Sequence, residues 1–539
     1  MSTPSSVELP QDPDALRSLV LDLKGQLERK QSTVDEYAER IAQLEEWVRL
    51  LRSQRFGRSS EKLSIDQLGL FNEAEQTVDA DEAALETSEA DDTIEVPGHR
   101  RAKPGRRPLP AWMERVEIVH DLPEDQKVCS EHGDPLVELG RDVSEQLEII
   151  PAQVRVIRHV RPKYVCSKCR DHVKTAPAPP ALIPKSLASP ALLAYVAVSK
   201  YADGLPLYRQ EAMLQRGGVD LSRATLAHWM VRFGEAVQPL TERMRRDLVA
   251  YDVVQCDETT FPVLKEPGKA PTSQAYLWVQ RGGARDQPLI LYAYDPSRSK
   301  EVPQRLLAGF QGFLQTDGYE GYTEIGARPG IVHVGCFAHA RRKFVEALAG
   351  GKGVKQAQQA AKRSSKVVRA RQALVYIQDL YAIERLVADA TPEERHRVRQ
   401  EKSRLVLEKL RVWLDGALGS VPDQSLTGKA LSYLDRQWVK LVRYTEDGRI
   451  PIDTNAVENA IRPFVVGRKN WLFADTARGA QASANLYSLI QTARANGLEP
   501  FAYLRHVAAE LPRSDKPEDL EALLPHRVAP EILRGDDPR

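Results

Sequence analysis

Residues 253–264 read VVQCDETTFPVL. The run opens as a short apolar strand, and then two acids, Asp257 and Glu258, interrupt it where a buried strand should stay apolar. Burying an unpaired carboxylate is expensive, so an acid at such a strand end needs a partner, water or a metal ion. Successive side chains of a strand point to opposite faces, which sends Glu258 away from Asp257 and leaves Asp257 as the candidate metal ligand.

Outward from this stretch, DVVQCDETTFPVL, QAYLWVQRG, PLILYAYD, GFLQTDGY and GIVHVGCF read as five strands, with one helix, SKEVPQRLLAGF, between the third and the fourth. Three consecutive strands, a helix and a strand ending in Asp317 predict an α/β sheet of the ribonuclease H type. If the first and fourth strands are neighbours, Asp257 and Asp317 converge on one edge. Converging carboxylates repel unless a cation sits between them, and hard divalent ions take oxygen ligands at such places. Two magnesium ions roughly 4 Å apart activate a water or hydroxyl and stabilise the leaving oxygen of an in-line displacement. That chemistry acts on phosphodiesters, and it wants a third carboxylate.

The third acid is expected in DTNAVENAIRPFVVGRKNWLF, residues 453–473. Asp453 or Thr454 caps a helix that holds Asn455, Glu458 and Arg462 at i, i+3 and i+7, hence on one face. An acid between an amide and a guanidinium, followed by Arg468 and Lys469, suits a metal-bound phosphate with a DNA strand alongside. Taken alone, Glu458 would be an exposed helical acid; its company argues for the metal.

Upstream, residues 16–51 keep a heptad. Val20, Leu27, Val34, Ile41 and Val48 share one position, and Leu16, Leu23, Lys30, Tyr37, Leu44 and Leu51 the other. This predicts a parallel two-stranded coiled coil, hence a homodimer or higher oligomer, against an amphipathic helix packed on its own chain. Overall charge is balanced, 76 Lys plus Arg against 75 Asp plus Glu, so any nucleic-acid surface must come from local segregation. Residues 72–97 carry ten acids and no Lys or Arg, whereas GHRRAKPGRRPLP (98–110) carries five basic residues and no acid. The first reads as a disordered linker, the second as an extended arm with Arg106 and Arg107 on phosphates, or as a solvated basic linker.

VCSEHG and YVCSKC place Cys129, His132, Cys166 and Cys169 in two short-spaced pairs, the arrangement of a closed structural zinc site, against isolated thiols and a surface histidine. LYRQEAMLQRGGVDLSRATLAHWMVRF contains a helix, a Gly-Gly turn and a second helix capped by Ser222, with Leu226, Trp229 and Met230 facing inward. It reads as a helix-turn-helix with Arg223, Thr225 and His228 toward DNA, or as two ordinary packed helices. Residues 354–389, 392–415 and 426–446 read as helices of an insertion between Asp317 and Glu458, with TPEE (391–394) as a helix start. CFAHARRKF opens that insertion. Cys336 and His339 have ligand spacing without a second pair beside them, which argues against a separate zinc site there. No run approaches the roughly 18 apolar residues of a membrane span, and the N-terminus lacks a signal-peptide pattern. The expected location is the cytoplasm, in association with the nucleoid.

Taken in order, the N-terminal heptads with RFGRSSEKL and LFNEAE, the cysteine module, SKYADGLPLYRQE, DETTFPVL, TDGYEGY, CFAHARRKF and NAVENAIRPFVVGRKNWLFADTARGAQASANLYSLIQTARANGLEPFAYL resemble the bacterial transposases of the insertion sequence 66 group, within the DDE superfamily. The resemblance covers about residues 16–512. It implies a ribonuclease H-like core with an all-helical insertion and a catalytic triad on Asp257, Asp317 and Glu458. It also implies end-binding and strand transfer, with small accessory proteins from the same element as partners. Cys-x-x-His resembles a signature of transposases with helical insertions, which puts Cys336 and His339, with Asn455, near the active site. His132 stands where the family pattern leads one to expect a fourth cysteine. Non-catalytic DNA-binding regulators and nucleases without strand transfer are the alternatives.

The expected layout is a multidomain α/β chain: coiled coil 1–71, acidic linker 72–97, basic arm 98–125, zinc-binding module 126–185 and helix-turn-helix region 186–248. The catalytic core follows in two parts, 249–345 and 451–512, around the helical insertion 346–450, with a tail at 513–539.

Overall fold

The computed structural model describes residues 12–56, 117, 154–165, 173–270, 272–284, 287–349 and 369–534. The acidic linker, the basic arm with Arg106 and Arg107 apart from Glu117, the expected zinc ligands Cys129, His132, Cys166 and Cys169, and residues 350–368 of the insertion lie outside the described residues. The chain divides into two units, residues 74–157 and the remainder, and the elements named here belong to the remainder.

Helix α1 (Pro13–Phe56) is continuous over 44 residues, and Val20, Leu23, Leu27, Val34, Tyr37, Ile41 and Leu44 of the heptad are exposed. A short antiparallel pair follows, β1 (Lys163–Val165) with β2 (Val173–Thr175). Four helices come next: α2 (Pro190–Tyr201), α3 (Leu207–Arg216), α4 (Arg223–Ala236) and α5 (Gln238–Val249). Between α3 and α4 the chain turns at Gly217 and Gly218, the second at φ +81°, and Ser222 Oγ accepts the Thr225 N–H at 3.2 Å to start α4. Leu226, Trp229, Met230 and Phe233 bury one face of α4, while Arg223, His228 and Arg232 stay exposed on the other.

The strand region gives β3 (Val253–Thr260), β4 (Val263–Lys265), β5 (Tyr276–Gly282), β6 (Leu289–Asp295), helix α6 (Glu301–Leu306), β7 (Gly312–Gln315) and β8 (Ile331–Val334). Five of these strands form one mixed sheet in the order β6-β5-β3-β7-β8. β3 is central: it pairs antiparallel with β5, which pairs antiparallel with β6, and it pairs parallel with β7, which pairs parallel with β8. The insertion supplies α7 (Phe337–Ala349), α8 (Arg369–Leu386), α9 (Pro392–Val398), α10 (Arg404–Ala417) and α11 (Leu426–Val442), with one π turn over Arg399–Ser403 joining α9 to α10. Its apolar cluster, built around Phe337, Phe344, Ile377, Leu410, Leu434 and Tyr444, also takes in Val334 of β8, with Val253 of β3 and Phe313 of β7 packed against it. The chain then returns as α12 (Asn455–Trp471), β9 (Ala474–Thr476), α13 (Ala477–Ala495) and α14 (Pro500–Glu510), with β9 pairing parallel to β4.

The outer edge of β6 is closed by a helix. Tyr292 N–H donates to Ser488 Oγ (2.8 Å), Ile290 N–H to Thr492 Oγ1 (3.0 Å), and Asn496 Nδ2 donates to the Pro288 carbonyl (2.8 Å). Ser488, Thr492 and Asn496 recur every four residues and meet backbone groups that recur every two. Eight residues of helix advance about 12 Å and four residues of strand about 13 Å, so the two ladders stay in step. A free edge that would otherwise invite another strand is thereby satisfied within the chain.

His333 on β8 is buried, its Nε2 2.8 Å from Thr316 Oγ1, and a Cβ at position 326 would sit 2.3 Å from its ring, which is why glycine stands there. Burial, helped by the charges of Lys440 and Arg443, pushes its pKa down to about 3. The unfolded histidine protonates near 6.5, so the unfolded chain binds more protons between the two values and stability falls as pH drops through that window. Replacing His333 with Gln is expected to flatten the pH dependence of unfolding between about pH 6.5 and 3. An unchanged slope in denaturant titrations would contradict this.

Candidate active site

β3 alternates as its sequence demands. Val254 and Cys256 are buried on one face, and Glu258 continues that face directly opposite Trp278 of β5. There Glu258 is fully engaged: Arg298 donates to Oε1 at 2.6 and 2.8 Å, and Tyr322 OH donates to Oε2 at 2.8 Å. Arg298 in turn lies 3.9 Å over the ring of Tyr319. Glu258 is therefore the hydrogen-bonded acid of the pair, although burial and then the charge of Asp317 still hold its carboxyl above the ordinary range.

Asp257 continues the other face. The parallel register sets Gln255 beside Gln315, so the residues two further along, Asp257 and Asp317, stand at equivalent points just past the paired stretch. Burial raises the Asp257 carboxyl well above its ordinary range, and the negative charges of Glu258, Asp317 and Glu458 raise it further. Asp317 turns the chain immediately, its Oδ1 accepting the Tyr319 N–H at 2.9 Å.

Glu458 enters from α12 and is only 6% exposed. Thr454, not Asp453, occupies the position before the helix, but its side chain does not cap it; Asp453 accepts the Asn455 N–H at 3.1 Å and the Asn455 Nδ2 at 2.9 Å. The Thr454 hydroxyl lies 3.2 Å from Glu458 Oε1 and 3.1 Å from Cys336 Sγ, which also accepts the Thr454 N–H. From α7, Arg342 donates to Glu458 Oε2 at 3.1 Å, and His339 Nδ1 lies 3.6 Å from Oε1. Cys336, His339 and Arg342 thus follow one another at three-residue spacing and present one face of the α7 start to Glu458.

The donor atoms of Cys336, His339 and Glu458 lie within 4.8 Å of one another. Burial holds the Cys336 thiol up at about 12, and its sulfur is already an acceptor for Thr454. A thiol held protonated by burial and already accepting from Thr454 suits the anchoring of Glu458 better than a soft-metal site. Around Asp257, burial and then the charges of Glu258, Asp317 and Glu458 raise the cost of ionisation, an electrostatic setting that a divalent cation would relieve.

Of the other expected contacts, Arg462 is half-buried on α12 and Lys469 is exposed in its last turn. Arg468 donates to the carbonyl and hydroxyl of Thr260, which ties the end of α12 to the end of β3. Arg223 is exposed, with its own N–H donating to Glu211 at 2.9 Å. Gln255, Gln315 and Arg342 were not anticipated. A signal existed for the glutamines, since both acids close the same tripeptide, Gln-x-Asp, at 255–257 and 315–317.

Residues 185–482, which include all of this geometry, match the profile of the Transposase IS66 family. The chain belongs to the IS66 transposase family. Further profiles cover the rest in order: the Transposase C of IS166 homeodomain over residues 43–118, the zinc-finger binding domain of transposase IS66 over 126–170, and the IS66 C-terminal element over 488–526. Two proteins of Sinorhizobium fredii, y4qI and y4jD, both described as uncharacterized, are similar along their lengths. The first is 34% identical over 98% of this chain and 99% of the relative; the second is 30% identical over 96% of each. Membership supports a transposase role, zinc in the 126–170 segment and DNA as the partner of the IS66-family chain. Among the described residues, no helix is long and apolar enough to cross a membrane.

Proposed function

We propose that this IS66-family chain is a DDE-type transposase with a ribonuclease H-like core. It binds the ends of its element, cleaves there, and joins the freed 3′ ends to target DNA. The observation that carries the reading is the register of β3 on β7: Asp257, inside β3, and Asp317, just past the end of β7, each follow the Gln255–Gln315 pair by two residues, and Glu458 acts electrostatically on Asp257. The sheet order, with an antiparallel pair on one side of β3 and a parallel pair on the other, supports the fold.

Asp257, Asp317 and Glu458 would hold two magnesium ions, which supply an activated water or hydroxyl and neutralise charge at the phosphate. The chain's own residues set the geometry: two acids are fixed by strand register, and the third by the Thr454, Arg342 and His339 contacts. Arg462, Arg468 and Lys469, all on α12, would contact phosphates. Cys129, His132, Cys166 and Cys169 would hold the structural zinc. Arg106 and Arg107 of the arm and Arg223 of α4 would bind the element's ends, α1 would pair with a second copy along its exposed heptad seam, and accessory proteins of the element would join the complex near the nucleoid.

The test is a strand-transfer assay with the full chain, magnesium and DNA carrying the element's ends, beside Asp317→Asn. Joined products that vanish in the variant while end-binding persists are expected. Cutting without joining would favour a nuclease, and binding with neither would favour a regulator.

A further inference from the structure

Gln255 and Gln315 are wholly inside the protein, 2% and 0% exposed, and sit side by side at the last paired position of β3 and β7. Between them they spend all four amide hydrogens. Gln255 Nε2 donates to Gln315 Oε1 (2.7 Å) and to the Asp453 carbonyl (2.9 Å); Gln315 Nε2 donates to the Gly335 carbonyl (3.1 Å) and the Pro451 carbonyl (2.8 Å). Gly335 is the last residue before the α7 motif that opens the insertion, and Pro451 and Asp453 are where the chain comes back from it. The same junction is laced further by Gly335 N–H to the Lys440 carbonyl (2.9 Å) and Phe337 N–H to the Ile452 carbonyl (3.2 Å). Each glutamine also lies two residues before a candidate catalytic acid, and Asp453 lies five before the third.

We propose that the Gln255–Gln315 amide pair is a positioning device. It staples both ends of the helical insertion to the catalytic sheet and so fixes Glu458 over Asp257 and Asp317. Buried polar pairs carry a penalty for any group left unmatched, and Gln255 Oε1 is buried without a hydrogen-bond partner among the described residues. An apolar pair of the same volume would fill the space without that penalty, so packing does not account for two amides. What apolar side chains cannot do is hold three backbone carbonyls from the two borders of an insertion. The requirement falls on these positions because 140 residues separate Asp317 from Glu458, as counted from the sequence, and strand register reaches only the first two acids.

The proposal rests on the transposase reading for its consequence but not for its first measurement. In Gln315→Met, which keeps volume and removes both donors, hydrogen exchange at the amides of Val457 and Glu458 should quicken about tenfold or more, while exchange in β5 and β6 stays as in the native chain. Gln255→Met, which leaves the Gly335 and Pro451 bonds in place, should show a smaller effect at the same amides and serves if the first variant does not fold. With the native enzyme active, both variants should bind end DNA normally, cut roughly ten to a hundred times more slowly, and need several-fold more magnesium for half-maximal rate. The double variant should be less impaired than the two single effects combined, because both single variants already lose the shared Gln255 Nε2–Gln315 Oε1 bond. Unchanged exchange at 457–458, or slower cutting with an unmoved magnesium midpoint, would overturn the proposal. A native chain that cuts nothing would instead defeat the transposase reading and leave the exchange experiment to decide the staple.

Discussion

Asp257→Asn is expected to make the metal-free protein more stable and catalytically dead. The Asp257 carboxyl is raised well above its ordinary range by burial and then by the charges of Glu258, Asp317 and Glu458. A carboxyl that binds its proton more tightly in the fold than in the unfolded chain weakens the fold as pH rises above the unfolded value of about 3.9, until the folded group has also ionised. Asparagine keeps the shape and removes the charge, so its advantage should be absent in strong acid, grow above about pH 4 and be greatest near neutrality. Melting should rise by roughly 2–4 °C for each kcal/mol of repulsion relieved. Magnesium should then stabilise the native chain and not the variant, narrowing or reversing the gap. Strand cleavage should fall at least about a thousandfold, the equivalent of about 4 kcal/mol in the transition state. A variant that melts lower without metal at pH 7, or that still cuts at a measurable fraction of the native rate, would remove Asp257 from the site.

That opposition between stability and activity explains why the acids could be found in the sequence at all. Asp257 and Asp317 break apolar patterns, and local patterning detects the break; the five strands of the main sheet and the helix Glu301–Leu306 follow from the same periodicity, whereas the separation of β4 from β3 and the short helical segments Glu320–Tyr322 and Thr323–Gly326 before β8 were not expected. Helix starts were equally legible where the signal is short-range: Ser222 accepts from Thr225 N–H, and Thr391 from Glu394 N–H. What the sequence hides is who meets whom across long separations. Ser488, Thr492 and Asn496 read as ordinary helical polar residues until β6 lies against them. Arg342 reads as one of several basic residues in CFAHARRKF until Glu458 arrives from 116 positions away. Strand neighbours likewise had to be assumed before the order β6-β5-β3-β7-β8 set β3 beside β7. The expected zinc ligands and the arm arginines Arg106 and Arg107 stay at the level of pattern, because they fall outside the described residues.

Arg399→Met should produce the opposite combination to Asp257→Asn, losing stability first and activity only in consequence. Arg399 is 1% exposed, in the π turn between α9 and α10. Its fork meets Glu384 of α8 at 2.8 and 2.7 Å, and its remaining nitrogen donates to the carbonyls of Tyr444 (2.7 Å) and Asp447 (2.8 Å). The wider π turn gives a helical residue an inward reach that a regular turn would not. Methionine fills comparable space and satisfies none of these groups, leaving the half-buried Glu384 carboxylate and two carbonyls unmatched. Removing one partner of such a buried pair costs about 3–5 kcal/mol, and lysine, which keeps the charge but not the fork, should recover only part. The damage should be local to the insertion, so the clean measurement is hydrogen exchange or limited proteolysis of α8 to α11 rather than a single melting temperature. Tyr444 to Asp447 run directly into the segment that Gln255 and Gln315 hold. Loosening them should therefore reach Glu458 and lower the cutting rate in step with the fraction of open insertion, recovering on cooling. Activity untouched while the insertion opens would show that these helices do not support the third carboxylate, and the catalytic geometry would have to be held by the sheet and α13 alone.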